Sequence, residues 1–227
     1  MLATNRPDQV LHTEEIRNGL RLETAYGEVT LAFVHEGIVG VRYHWKDEAD
    51  VLLDTTAVVL TNEPGRLRFV GAEATLAPVI DLERTAPGAG STLTVSSSEL
   101  EITVEQTDFA LSIRSADGTL LHRDLHRRAL RRDRLGRRFH RFEQGGWQSI
   151  YGGGQSSGPL DKRGTRLRFD ARDALGYDSA TTSPLYIDVP FLLLRDGQNR
   201  SLGLFYDHAG PAACDLGTER NGYWPPF

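Results

Sequence analysis

Five side chains able to recognise a sugar fall within nine positions of the stretch FDARDALGYD: Asp170, Arg172, Asp173, Tyr177 and Asp178. A carboxylate accepts paired hydroxyl hydrogen bonds and a tyrosine offers a stacking face, so a loop of this composition can hold a carbohydrate. Asp is equally a loop former, because it bonds its own neighbouring backbone. On chemistry by itself the loop-forming reading is the simpler one. Upstream, Gly154-Gln155-Ser156-Ser157-Gly158 matches the G-x-S-x-G nucleophile elbow, and Asp207 and His208 follow in a workable order. That elbow needs a helix directly after the serine, whereas Pro159-Leu160-Asp161-Lys162-Arg163-Gly164 supplies a turn, so a structural glycine turn is expected. Gly152 and Gly154 also open a G-x-G-x-x-G pattern, but Ser157 holds the place of the third glycine and no crossover helix follows.

The elements that must position these groups read as strands. GLRLETAYGEVTLAFVHEGIVGVRYHW alternates apolar and polar residues in three short runs, with Tyr26-Gly27-Glu28 and His35-Glu36-Gly37 as turn points, which predicts an antiparallel meander. AVVLT, ATLAPVIDLE, STLTVSS, ELEITVEQ and FALSIRS continue the rhythm, and Asp117-Gly118 is a hairpin-turn dipeptide. Further along, RFHRFE, WQSIYG, RLRF, PLYIDVPFLLLRD and SLGLFYD are strand-like. The unbroken apolar run Val189–Leu194 predicts a strand covered on both faces. Helical periodicity is nearly absent, so the fold class is all-β, a large antiparallel β-sandwich. Residues 1–15 read as a tail or edge strand and 16–227 as a single domain.

With 227 residues, 39% hydrophobic and 25% charged, the chain has a globular composition and length enough for a sizeable core. No run approaches the roughly 20 apolar residues of a spanning helix, so no membrane partner is expected. The start MLATNRPDQV lacks the layout of a signal peptide, and the cytoplasm is the expected location. Cys214, the only cysteine, excludes an intrachain disulfide and a cysteine-built zinc site, and AACDL suggests a small buried side chain. No metal or organic cofactor is implied. The net charge of −5 is uneven: from His122 to Arg141 nine Arg face Asp124 and Asp133, a local +7 that leaves −12 elsewhere. This stretch has few aromatic residues for bases to stack on, so a solvated excursion or short helix with Arg–Asp pairs is expected and a nucleic-acid partner is not.

Read as a series, YGGGQSSGPLDKRG, RLRF, FDARDALGYD and PLYIDVPFLLL resemble, in order and spacing, the N-terminal domain of glycoside hydrolase family 31, the α-glucosidase and α-xylosidase family. The resemblance is closest from Trp147 to Tyr223. It departs from the family at Gln155, where Glu is common, and at Gly153, which replaces a larger residue. It implies a β-sandwich similar to galactose mutarotase that packs on a (β/α)8 barrel, on this or another polypeptide, and acts on α-glycosides. It also implies that Asp173, together with Tyr177, narrows the substrate pocket as the residue the domain extends over the barrel mouth. No catalytic residue transfers. The family nucleophile sits in a Trp-x-Asp-Met-Asn-Glu type motif, the only methionine here is Met1, and a barrel of about 250 residues would not fit behind this domain. An uncovered barrel-facing surface would expose an apolar patch and favour self-association into homo-oligomers.

Two other functions suit a sandwich. An aldose 1-epimerase needs a carboxylate and a histidine across the ring oxygen and anomeric carbon, with His44 and His208 as candidates on strand-like segments. A stand-alone carbohydrate-binding module needs exposed aromatics among Trp45, Trp147, Trp224 and the tyrosines.

Overall fold

The computed structural model describes residues 9–16, 18–46, 92–208 and 210–218 in full, and the backbone of 59–63, 66–69, 83–84 and 223–224. Among the described residues there are antiparallel strands and no helix. The chain divides into two compact units, Met1–Arg137 and Arg138–Phe227.

The first unit opens with the predicted meander: β1 (Val10–Ile16), β2 (Gly19–Thr24), β3 (Gly27–His35) and β4 (Ile38–Trp45) pair in that order, with β1 as the edge strand. Along β3 every second residue from Gly27 to Phe33 is buried, as period-two alternation dictates for a sheet with one face on a core. Thr24 closes the β2–β3 turn by donating from Oγ1 to the Gly27 carbonyl at 2.9 Å and accepting the Gly27 N–H at 3.2 Å. A hairpin of β5 (Val59–Glu63) and β6 (Arg66–Phe69) follows. The apolar run from Ala74 to Asp81 lies outside the described residues.

The second sheet of this unit runs β11-β10-β9-β8-β7, from β7 (Glu83–Arg84), β8 (Thr92–Ser96), β9 (Leu100–Glu105), β10 (Ala110–Ser115) and β11 (Leu120–Arg123). Asp117-Gly118 turns the β10–β11 hairpin as expected, with Gly118 at φ +82° and Asp117 Oδ1 accepting the Thr119 N–H at 2.9 Å. Leu20, Leu22, Val29, Leu31 and Phe33 of one sheet pack with Leu93, Val95, Ile102, Val104 and Leu111 of the other, giving a sandwich core. Each such side chain stabilises the fold by about 1.5–3 kcal/mol on full burial. The sheets are also clamped at one end: Ser97 Oγ donates to the Glu36 carbonyl at 2.6 Å, and the N–H and hydroxyl of Ser98 each donate to Glu36 Oε2 at 2.9 Å. In the Arg-rich excursion, which includes β12 (Leu130–Arg132), the expected Arg–Asp pairs are present, Arg127 on Asp108 at 3.1 Å and Arg137 on Asp133 at 2.7 Å, and the helix is not.

The second unit contains β13 (Arg138–His140), β14 (Phe142–Glu143), β15 (Ser149–Gly152), β16 (Arg166–Phe169), β17 (Phe191–Arg195), β18 (Ser201–Phe205), β19 (Ala212–Asp215) and β20 (Tyr223–Trp224). Its sheets are β15-β17-β18, β16-β19 and β14-β20. Trp147, Ile150, Leu167, Phe169, Leu192, Leu194, Cys214 and Leu216 are buried there. Two expectations fail along PLYIDVPFLLLRD. The strand begins at Phe191, not Pro184, because prolines at 184 and 190 withhold ladder donors and the carbonyls between them serve loops instead. The run is also covered on one face only: Leu192 and Leu194 are fully buried while Phe191 and Leu193 are 39% and 36% exposed, since a strand in a sheet packed on one side alternates like any other.

Candidate functional site

All the groups singled out by their chemistry from Gly152 to Asp178 lie in the second unit. Strand β15 leaves its sheet through three successive glycines, Gly152, Gly153 and Gly154, with φ of +108°, +86° and +78°. Side chains disfavour that backbone, and space forbids them too: a Cβ on Gly154 would sit 2.4 Å from the Ile187 carbonyl oxygen and 2.6 Å from the Val189 nitrogen. The turn therefore presses backbone to backbone on the segment after Pro184, with the Gln155 N–H donating to the Ile187 carbonyl at 2.7 Å.

The charged turn that follows does not simply face water. Asp161 Oδ1 accepts the N–H groups of Ile150 at 2.9 Å and Arg163 at 3.0 Å. Burial pushes its carboxyl up, but these amides, the Ser149 hydroxyl and the Arg163 charge outweigh that and hold it below the usual value. Lys162 is 6% exposed, against the expectation for a turn lysine, and its ammonium donates to the carbonyls of Ser157 at 3.2 Å and Ser156 at 3.5 Å. Burial lowers its pKa. The neighbouring charges and glycines hid this inward lysine from a reading of the sequence.

The loop 170–178 leaves β16 after the buried Phe169. Arg172 donates its N–H to the Leu185 carbonyl at 2.9 Å and its Nε to Asp170 at 3.1 Å. At the far end Asp178 Oδ1 accepts the Ala180 N–H at 2.7 Å, and the Asp178 N–H donates to the Thr182 hydroxyl at 2.9 Å. Asp170 and Asp178 are thus loop formers, and the loop is fixed at both ends. Between them Asp173 is exposed, with no hydrogen bond or ion pair to its carboxylate among the described residues, and Tyr177 is 53% exposed.

Tyr177 borders an open depression of about 330 Å³ together with Gly154, Gln155, Ser156, Leu185 and Tyr186. Asp173 is not part of its lining. Gln155, Ser156 and Tyr186 are additional lining groups that the sequence reading left without a role, Tyr186 because its segment reads as a strand. The Ser156 hydroxyl is buried without a hydrogen-bond partner. No helix follows it, so the nucleophile-elbow reading fails among the described residues. Nearby, Asp188 carries a buried, unpartnered Oδ1. Burial and the Asp170 charge raise its pKa, against the pull of the Ala171 and Asp170 amides that face it.

None of the groups relevant to the other readings lines this depression. Trp45 and Trp147 are 3% and 7% exposed, so neither offers a binding face. His44 is half-buried in β4 and His208 is exposed after β18. His126 touches Glu105 at 3.0 Å, which leaves no room for a sugar ring between base and acid. Glu105, Asp108 and His126 together place ligand atoms within 4.8 Å of one another, the spacing of a cation site, but Arg127 already occupies Asp108 Oδ2 at 3.1 Å.

The family model of the glycosyl hydrolase 31 N-terminal galactose mutarotase-like domain matches residues 28–215. No curated protein matches the chain. Among solved structures, the chain is similar to a glycoside hydrolase family 31 dextranase of Flavobacterium johnsoniae complexed with glucose, at 20% identity and a TM-score of 0.77, covering 97% of this chain and 25% of that one. It is similar to a cycloalternan-forming enzyme of Listeria monocytogenes in complex with a pentasaccharide substrate, at 16% identity and a TM-score of 0.71, covering 98% and 20%. An α-xylosidase of Xanthomonas citri is likewise similar, at 15% identity and a TM-score of 0.57, covering 88% and 19%. The chain thus spans no more than a quarter of the length of these structures.

Proposed function

The chain belongs to the family of glycosyl hydrolase 31 N-terminal, galactose mutarotase-like domains, and from that premise we propose that it is the non-catalytic β-sandwich of an α-glucosidase-like enzyme. It packs on a (β/α)8 barrel and lends the loop 170–178 to the pocket where an α-glycoside is hydrolysed. The carrying observation is Asp173. Its carboxylate stands exposed and uncommitted on a loop fastened at both ends, by the Arg172 N–H on the Leu185 carbonyl and by the Gly158 N–H on the Ser179 carbonyl, so it is held out for a partner at little further entropic cost. Tyr177, on the same loop, offers a ring face to the sugar. The apolar face formed by Phe191, Leu193 and Phe205, each more than a third exposed, supports a covering partner, and in its absence a second copy.

The test has two arms. The purified chain is assayed on aryl α-glucosides and, by polarimetry, on freshly dissolved α-glucose and α-galactose. It is expected to be silent in both; hydrolysis lost on changing one carboxylate overturns the non-catalytic role, and fast mutarotation favours an aldose 1-epimerase. In the enzyme that carries this domain, Asp173→Ala is expected to raise KM about tenfold or more, the cost of one charge-assisted hydrogen bond. An unchanged KM overturns the role of Asp173.

A further inference from the structure

Lys162 is a buried charge without a part in the function proposed so far. Its backbone is pinned from both sides: the N–H donates to the Ile150 carbonyl of β15 at 2.7 Å, and the carbonyl accepts the Thr165 N–H at 3.1 Å and the Thr165 hydroxyl at 2.6 Å. From that fixed base the side chain turns inward, and its ammonium donates to the carbonyls of Ser157 at 3.2 Å and Ser156 at 3.5 Å. Taking an ammonium out of water is unfavourable unless acceptors replace the solvent, and here the acceptors are the backbone that follows the three glycines. The charge therefore ties the glycine turn to β15, which a neutral side chain of the same length could not do.

The turn so held is in turn the support of the loop 170–178. Gly158 donates its N–H to the Ser179 carbonyl at 3.3 Å, directly after the loop, and Gln155 donates to the Ile187 carbonyl at 2.7 Å. Beside Ile187, the Leu185 carbonyl accepts the Arg172 N–H at 2.9 Å, and the Asp188 carboxylate faces the amides of Asp170 and Ala171. Each step from the Lys162 ammonium to the residues next to Asp173 is a hydrogen bond or a short run of peptide, and all of it lies in the second unit. Asp173, Leu175 and Tyr177 are themselves exposed, so the loop owes its place to these backbone anchors more than to packing of its own side chains.

We infer that Lys162 is a positioning residue for Asp173: its buried ammonium braces the glycine turn, and the turn sets where the loop carries the Asp173 carboxylate. The inference rests on the function proposed above, since it takes Asp173 as the group that meets the substrate. It adds that the geometry of that group is set by a charge on a different turn, eleven residues earlier in the chain.

In the whole 227-residue chain, amide hydrogen exchange followed by NMR should find the N–H groups of Gln155, Gly158 and Arg172 protected about a hundredfold or more. Exchange at unprotected rates overturns the brace with no variant needed. Lys162→Met keeps the stem and removes a charge that is costly to bury, so it should melt close to the wild type. In it those three amides should lose about tenfold of their protection while Leu192 and Leu194 in β17 keep theirs; unchanged protection overturns the brace. In the enzyme that carries this domain, Lys162→Met should raise KM for an aryl α-glucoside about threefold or more with kcat unchanged, and joined to Asp173→Ala it should add nothing to the effect of Asp173→Ala. Independent losses would instead multiply to about thirtyfold. That result, or a KM unmoved by Lys162→Met where Asp173→Ala raises it, overturns the positioning role and leaves the role of Asp173 standing. A KM unmoved by Asp173→Ala overturns the role of Asp173 itself, and the positioning role with it.

Discussion

Asp161 accepts the backbone N–H of Ile150 at 2.9 Å, so a turn carboxylate terminates the open edge of a strand eleven residues earlier in the chain. The same oxygen takes the Arg163 N–H, which fixes the turn that delivers Lys162 inward. Replacing Asp161 with Ala leaves both amides without their acceptor and is expected to cost about 2 kcal/mol in urea unfolding. Asn, which keeps one carbonyl oxygen, should recover part of the loss.

Asp215 is the corresponding hub at the end of β19. It is 3% exposed and accepts the N–H groups of Thr218 at 2.7 Å and Gly217 at 3.0 Å, the Thr218 hydroxyl, and Arg166 Nη2 at 2.8 Å. Burial pushes its pKa up, but these donors together hold it below the ordinary value. A carboxyl depressed in the folded state contributes stability that is present above its unfolded pKa of about 3.9 and is lost as pH falls through the folded value. Asp215→Asn should flatten this acid limb of the stability curve, and Asp215→Ala should cost about 2 kcal/mol at neutral pH by leaving the Gly217 and Thr218 amides without their acceptor.

Asp188 has the opposite sign. Its pKa is raised, chiefly by burial, so its ionisation opposes folding: its contribution is fully present below the unfolded pKa and is lost as pH rises through the folded one. Asp188→Asn should therefore be more stable than the wild type at neutral pH relative to its standing near pH ~3.5, read from unfolding midpoints at the two conditions.

The glycines at 154 and 164 separate backbone strain from crowding. Both have positive φ, +78° and +73°, but a Cβ on Gly164 meets nothing within 4 Å. Gly164→Ala should cost about 1 kcal/mol, the strain by itself. Gly154→Ala should cost about 3 kcal/mol or more, because the Ile187 carbonyl and the Val189 nitrogen must move as well.

Cys214 is 1% exposed, and burial together with the Asp215 charge raises its thiol well above the ordinary value. At about pH 8 it should resist iodoacetamide in the native chain and react at the rate of unfolding. Rapid native alkylation would show that the β16–β19 pair opens locally.

The opening meander and the β10–β11 hairpin were legible because period-two alternation and turn dipeptides are local signals: β3 buries the residues its pattern marks, and Gly118 adopts the positive φ that Asp-Gly predicts; the family was legible from the order of its motifs between Trp147 and Tyr223. The loop carrying Asp173 and Tyr177 was legible from its composition. What escaped was set by contacts distant in sequence. Lys162 reads as a surface charge until the carbonyls of Ser156 and Ser157 are folded over it. Tyr186 reads as one tooth of a strand until Leu185 and Ile187 turn their carbonyls to Arg172 and Gln155 instead of a ladder. Phe191 and Leu193 read as core because an apolar run does not state which of its faces its own unit covers.

Lys46 and Lys162 are the only lysines in the chain. With Lys162 closed inside its turn, the single side-chain amine open to reagents is Lys46, more than half exposed beside Glu23. Lysine-directed chemistry thereby acquires an address: under native conditions a crosslinker, a resin or a fluorescent ester that takes a lysine attaches at the end of β4, in the unit that does not carry the loop 170–178.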